Sequence, residues 1–232
     1  MTICIGDIHG CIKTLEALLK EIENRWPGEQ IMFVGDFVDR GPNSKAVVDL
    51  VKGNGWDAVA GNHDLMFVQA VKYGRTRDFF TNGGRTTLRS YGKGKDGDWH
   101  IDLDHISWLE SLPLYKDYPD IVNAFGLSLR IQHASLAPWY ANNIDSACGP
   151  NAVNDETSLV WYRGDCAILP EIYQVHGHTT IKEPYITSKW AMIDTGCAYA
   201  GKNPDITTLG LTAFRFENGE WFTQKNADGE KN

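Results

Sequence analysis

Apolar residues open the chain at positions 1–5 and stop at Gly6-Asp7, as a buried strand does where it meets a sharp turn. From 12 to 23, Ile12, Leu15, Leu18, Leu19 and Ile22 recur at helical spacing, which predicts an amphipathic helix. Trp26-Pro27-Gly28 ends it. Residues 31–34 read as a second buried strand, again ending at Gly-Asp. Pro42-Asn43-Ser44 opens a helix carrying Ala46, Val47, Leu50 and Val51, and Gly53 and Gly55 close it. A third strand over 57–60 ends at Gly61-Asn62-His63-Asp64, with a helix expected over 65–72. Strands alternating with helices imply parallel pairing through helical crossovers.

The pattern then changes. Glycines at 83, 84, 92, 94 and 97 predict a loop-rich insertion over 74–104 with one weak helix near 78–90. Residues 104–112 read as helix up to Pro113. Strand-like stretches follow at 114–118, 121–125, 129–132, 172–175, 190–193, 209–216 and 220–223, and a helix is expected at 154–162. The expectation is one α/β domain over 1–223 with a β-rich second half, and a flexible C-terminal tail over 224–232.

Composition narrows the function. Asp plus Glu is 30 against 22 Lys plus Arg, a net charge of -8, which argues against a nucleic-acid or anionic-membrane surface and leaves room for a cation-binding cleft. No apolar run approaches the roughly 20 residues of a membrane helix. The five cysteines are scattered without C-x-x-C spacing, so neither a disulfide framework nor a thiolate zinc site is expected. A reduced, cytoplasmic protein is the expectation.

The chemistry-bearing residues sit where the first three strands end. Gly6-Asp7-Ile8-His9-Gly10, Gly35-Asp36-Phe37-Val38-Asp39-Arg40-Gly41 and Gly61-Asn62-His63-Asp64 each place a polar, ligand-type side chain just after a glycine. In open α/β sheets ligands bind outside the carboxyl ends of strands. One such motif alone reads equally well as a turn with a capping Asp; three in succession favour a common cleft. His133 and His178 each end a later apolar run. Oxygen and imidazole donors without thiolate suit manganese, iron, zinc or magnesium.

Taken in order, GDIHG, GDFVDRG, GNHD, IQHA and GHT resemble the calcineurin-like metallophosphoesterases, and among them the compact bacterial and phage protein phosphatases. The resemblance spans roughly residues 2–216, with Asn82-Gly83-Gly84, Val160-Trp161-Tyr162-Arg163 and Ile193-Asp194-Thr195-Gly196 as further matches. It implies an α/β fold, a β-sandwich flanked by helices with the site at the strand C-terminal ends. It implies two divalent ions, manganese first, with iron, zinc, nickel or magnesium as alternatives. Asp7, His9 and Asp36 would hold one; Asp36, Asn62, His133 and His178 would hold the other, with Asp36 shared. A hydroxide bridging the ions would attack phosphorus in line, His63 oriented by Asp39 would protonate the leaving group, and Arg40, Arg163 and Asn62 would bind substrate phosphate.

Two departures pull the substrate in opposite directions. Asp64 replaces the Glu usual in protein phosphatases and matches diadenosine tetraphosphatases, as does Asp194-Thr195-Gly196-Cys197. Asp39 before Arg40 is the protein-phosphatase form. Weighing the acid pair more heavily, the sequence ranks a Ser/Thr-type phosphomonoesterase first, acting on a phosphorylated peptide or small phosphoester. A bis(5'-nucleosyl)-tetraphosphatase ranks second, and a non-catalytic metal- or phosphate-binding module is the reading from another class. His176 is expected to be exposed or to support the ligands. The polar cluster His100, Asp102, Asp104 and His105 reads as a loop-to-helix boundary.

Overall fold

The computed structural model describes residues 1–95, 97–149, 152–199 and 209–229. Five β-strands form one sheet in the order β10-β9-β1-β2-β3: β1 (Thr2–Ile5), β2 (Gln30–Phe33), β3 (Asp57–Ala58), β9 (Gly210–Arg215) and β10 (Trp221–Lys225). β1, β2 and β3 pair in parallel, and β9 and β10 close the other edge antiparallel. The second sheet runs β4-β5-β6-β8-β7, from β4 (Tyr115–Val122), β5 (Ser128–Gln132), β6 (Ile172–His176), β7 (Tyr185–Ile186) and β8 (Trp190–Met192). Its inner strands β5, β6 and β8 are parallel.

Strand alternation sorts the core into layers. On β1, Ile3 and Ile5 face a cluster with the helices α1 (Ile12–Arg25), α2 (Ser44–Gly53), α3 (Asn62–Tyr73) and α6 (Leu103–Ser111). Cys4 faces the opposite way, with Met32, Val34 and Phe214 against Leu129, Ile131 and Val175 of the second sheet. A smaller cluster of Leu136, Ala147, Leu159, Ala167 and Leu169 comes from the long connection between β5 and β6. The sandwich flanked by helices is thus as the sequence predicts.

Four local expectations change. The third helix starts at Asn62, three residues early, so two candidate site residues open a helix. The insertion carries two helices, α4 (Arg77–Thr81) and α5 (Arg85–Tyr91), broken at Asn82-Gly83-Gly84 where Gly83 takes φ 106°. The expected strands 114–118 and 121–125 merge into one irregular strand, β4, which ends at Val122, and 123–125 lie in a turn. No α-helix covers 154–162: the Asp155 carboxylate accepts from the Thr157 backbone N–H (2.8 Å) and hydroxyl (2.7 Å), a local turn that competes with helix.

The expected tail is docked for much of its length. Residues 224 and 225 complete β10. Asp228 accepts from the N–H groups of Lys13 (3.1 Å) and Thr14 (2.9 Å), satisfying donors at the start of α1. Residues 230–232 lie outside the described residues. Among the described residues no helix is long and apolar enough to cross a membrane.

Candidate functional site

Parallel pairing brings the ends of β1, β2 and β3 side by side, and the sandwich brings the ends of β5, β6 and β8 to the same place. Asp7, His9, Asp36, Asn62, His63, His133 and His178 are all buried there. Placing polar groups this tightly demands unusual backbone. Among the described residues, the non-glycine residues at left-handed φ are His9 (48°), Asp36 (55°), Asp39 (71°), Arg40 (66°) and His178 (66°). Such conformations cost about 1–3 kcal/mol each and persist where the surroundings over-determine them. Two glycines make the remaining room: a Cβ on Gly61 would lie 2.1 Å from Asp36 Oδ1, and one on Gly177 1.9 Å from Asp7 Oδ1.

The imidazoles are fixed by what lies behind them. His9 Nδ1 is 2.8 Å from the Val38 carbonyl and His133 Nδ1 is 2.9 Å from the Val34 carbonyl. A carbonyl only accepts, so each Nδ1 carries the proton and each Nε2 keeps its lone pair. Those lone pairs converge on one carboxylate oxygen: Asp36 Oδ2 lies 3.3 Å from His9 Nε2 and 3.5 Å from His133 Nε2. Asn62 Oδ1 is 3.0 Å from the same His133 nitrogen. His178 is arranged the other way round. Its Nε2 donates to the Trp161 carbonyl (3.0 Å), leaving Nδ1 as the lone pair, and its backbone N–H donates to Asp7 Oδ2 (3.1 Å).

Burial acts on these groups in one direction, against charge. It presses His133 down to about 4 and lowers His9 and His178 well below the usual imidazole value, with the Arg40 guanidinium adding to the effect on His9. Burial lifts Asp7, with the nearby Asp194 and Asp36 carboxylates pushing it further. Asp36 and Asp194 are also raised, chiefly by burial. Neutral imidazoles with fixed tautomers beside mutually repelling buried carboxylates are what a divalent cation site requires. Two groups of donor atoms each lie within 4.8 Å of one another: Asp7, Asp36 and His133, and His9, Asp36 and His63. Asp36 belongs to both, but Asp7 groups with His133 and His9 with His63, whereas the sequence expectation put Asp7 with His9 and kept His63 out, and His178 is in neither group. The oxygen and imidazole donors around Asp36 fit divalent cations.

His63 has a second relation that separates it from the others. Its Nδ1 is 2.7 Å from Asp39 Oδ2, with both side chains buried. Burial lifts Asp39 to about 8 and presses His63 down to about 3. Between those values the pair carries no net charge, and its shared proton sits on Oδ2 or on Nδ1. In either arrangement Nε2 bears a hydrogen.

The two arginines lie against site histidines. An Arg40 Nη1 donates to His9 Nε2, and its guanidinium lies 5.1 Å from the Tyr199 ring centroid. Arg163 Nη1 donates to the His178 carbonyl (2.8 Å).

Three side chains matter that the sequence reading gave no role. Asp194, at the end of β8, is buried among the acids and accepts from Thr180 Oγ1 (2.9 Å); an apolar run ending in Asp was its signal, as at Asp7 and Asp36. Thr87 on α5 donates its hydroxyl to Asp39 Oδ1 (2.6 Å) and accepts the Asp39 N–H (2.9 Å); nothing local in the sequence marks it. Asp64 accepts from the N–H groups of Asp36 (2.9 Å), Phe37 (3.0 Å) and Gly61 (2.9 Å), tying the second motif to the third. His176 is buried, not exposed, with its ring 5.7 Å from that of Trp190. His105 is structural: its ring bonds the Tyr91 hydroxyl (2.9 Å) and pairs with Asp49 (3.0 Å).

Comparison with known proteins fits this geometry. A symmetrical bis(5'-nucleosyl)-tetraphosphatase of Vibrio parahaemolyticus serotype O3:K6 is 27% identical over 98% of this chain and 99% of its own. The asymmetrical bis(5'-nucleosyl)-tetraphosphatase PrpE of Anoxybacillus flavithermus is 30% identical over 91% of this chain and 89% of its own. A Ser/Thr protein phosphatase structure from Saccharomyces cerevisiae shares the fold, with TM-score 0.52 and 15% identity over 99% of this chain and 81% of its own. The sequence model for calcineurin-like phosphoesterases matches residues 2–181, a span that starts at β1 and includes every donor described above except Asp194. With the fold, the converging donors and that match in agreement, the chain belongs to the calcineurin-like phosphoesterases, metal-dependent hydrolases of phosphoric esters.

Proposed function

We propose that the protein hydrolyses dinucleoside polyphosphates, as a bis(5'-nucleosyl)-tetraphosphatase. This reverses the ranking drawn from the sequence, where the Asp39–His63 pair placed a Ser/Thr phosphomonoesterase first. The observation that carries the reversal is near end-to-end similarity to relatives bearing that name, including the 27% identity over 98% of this chain. Asp64, in the form that resembles diadenosine tetraphosphatases, supports it.

In this reading Asp7, His9 and Asp36 hold one divalent ion and Asp36, Asn62, His133 and His178 hold the other; the donors suit manganese, iron, zinc or magnesium, and the family resemblance puts manganese first. When bound, the ions supply Lewis-acid polarisation of the phosphoryl group and activation of the attacking water. The chain's own residues do the rest. Arg40 and Arg163 present planar guanidinium donors to phosphate oxygens. His63 Nε2–H faces the leaving oxygen, and Asp39 holds the ring and its proton. A nucleotide leaving group is a weak base and draws little on that proton.

The acid pair keeps the phosphomonoesterase as a second reading, because an alkoxide leaving group would use it fully. The test is kcat/KM for diadenosine tetraphosphate and for a phosphoserine peptide on one manganese-loaded preparation. The dinucleotide is expected to be at least tenfold better, ~1.4 kcal/mol in transition-state stabilisation. A peptide value tenfold above it would restore the sequence-based ranking.

A further inference from the structure

Beside Arg163 lies an aromatic surface that phosphoryl transfer itself does not use. Trp139, in the short 3-10 turn Pro138–Tyr140, is 60% exposed. Its ring meets that of Tyr162 nearly edge-on, with centroids 5.3 Å apart and planes at 76°. Tyr140 flanks it at 6.0 Å and is itself held by a hydroxyl bond to Thr157 (3.2 Å). Tyr162 directly precedes Arg163, whose guanidinium is anchored on the His178 carbonyl (2.8 Å). On the other side of Tyr162, Trp161 packs its ring at 90° to His178 (5.9 Å). The segment 161–163 therefore ties the exposed indole to the rim of the metal-type site.

The Tyr162 hydroxyl packs over Gly164, where a Cβ would lie 2.2 Å from it, so the glycine makes room for the ring. A large indole left mostly in water, propped by two rings and next to an anchored arginine, suits one ligand class above others. In a nucleoside polyphosphate, a charged phosphate and a flat base are joined by a short ribose link. The guanidinium suits the phosphate, and the indole face suits the base, since every base has a π-face to stack.

We propose that Trp139, supported by Tyr162 and Tyr140, is the stacking platform for the base of the nucleotide whose phosphate Arg163 grips. This rests on the dinucleoside polyphosphate reading and makes Trp139 a specificity-determining residue outside the chemistry.

The test uses the full-length manganese-loaded protein with Trp139→Ala and Trp139→Phe. Trp139→Ala is expected to lower kcat/KM for diadenosine tetraphosphate about tenfold, within the range of a lost base–aromatic stack, and Trp139→Phe to recover most of it. Saturable quenching of tryptophan emission by AMP, absent with orthophosphate, is expected in the wild type and lost in Trp139→Phe. Cleavage of the dinucleotide with all three proteins alike, and AMP quenching unaltered in Trp139→Phe, would overturn the platform and leave the proposed function standing. Quenching by AMP that needs Trp139, in a protein that does not cleave the dinucleotide, would keep the base site and remove the proposed function. An equal loss in Trp139→Ala on a phosphoserine peptide would overturn the base platform in favour of a peptide-binding surface.

Discussion

Replacing Thr87 by valine tests whether α5 of the insertion holds the acid pair. The change keeps the branched shape of a fully buried side chain and takes away its hydroxyl. It removes a 2.6 Å hydroxyl-to-carboxylate bond and the acceptor for the Asp39 N–H at 2.9 Å. That N–H keeps Ser44 Oγ at 3.1 Å, so the backbone is not orphaned and the loss falls on the carboxylate. Leaving the buried carboxyl oxygen without its donor costs about 1–3 kcal/mol, which for a chain of this size lowers Tm by roughly 2–12 °C. The Thr87 hydroxyl also opposes the burial that raises Asp39. Without it the shared proton moves toward Asp39, and the imidazole becomes a poorer acid. We expect kcat to fall about tenfold on an alkyl phosphate and less on an aryl phosphate with a good leaving group, which needs less acid catalysis. Thr87→Ser restores the hydroxyl and should restore the leaving-group dependence. Equal losses on both substrates, or a serine variant as poor as the valine, would refute the positioning role.

Asp64→Ala leaves three buried N–H donors without their shared acceptor; at about 1–3 kcal/mol each it should lower Tm by 6 °C or more at roughly 2–4 °C per kcal/mol, and weaken manganese binding in a titration by releasing Asp36. Gly177→Ala drives a methyl to 1.9 Å from Asp7 Oδ1; metal content and turnover should fall while circular dichroism is unchanged. The Asp39–His63 pair keeps its proton below the raised value of about 8 and loses it above, so kcat on an alkyl phosphate should decline as pH rises through about 8. His63→Asn should abolish that limb at a cost of about 10²–10⁴-fold, visible in a kcat–pH profile.

Much of the site was legible because its residues announce themselves locally. Asp7, Asp36 and Asn62 each follow a glycine at the end of an apolar run, and parallel pairing then leaves one place where they meet. His133 and His178 were readable as strand ends for the same reason. What escaped depends on tertiary approach. Thr87 reaches Asp39 across 48 residues, and only the break at Asn82-Gly83-Gly84 turns α5 toward it. The expected helix at 154–162 failed because periodicity ignores the Asp155 side chain, which bonds its own neighbours. The contacts of Asp228 were not legible because its partners on α1 lie more than 200 residues away. The substrate ranking turned on Asp39 alone, and an acid pair serves several leaving groups.

Asp36 shared between two ions is the centre of the proposed chemistry. Metal content of the wild type and of Asp36→Asn, measured by plasma mass spectrometry after manganese loading and desalting, tests that directly. The predicted result is two ions per wild-type chain, as two-metal phosphoesterase chemistry needs, and one or none in Asp36→Asn, with its melting transition still cooperative. Two ions retained in Asp36→Asn, or a single ion in the wild type, would contradict it.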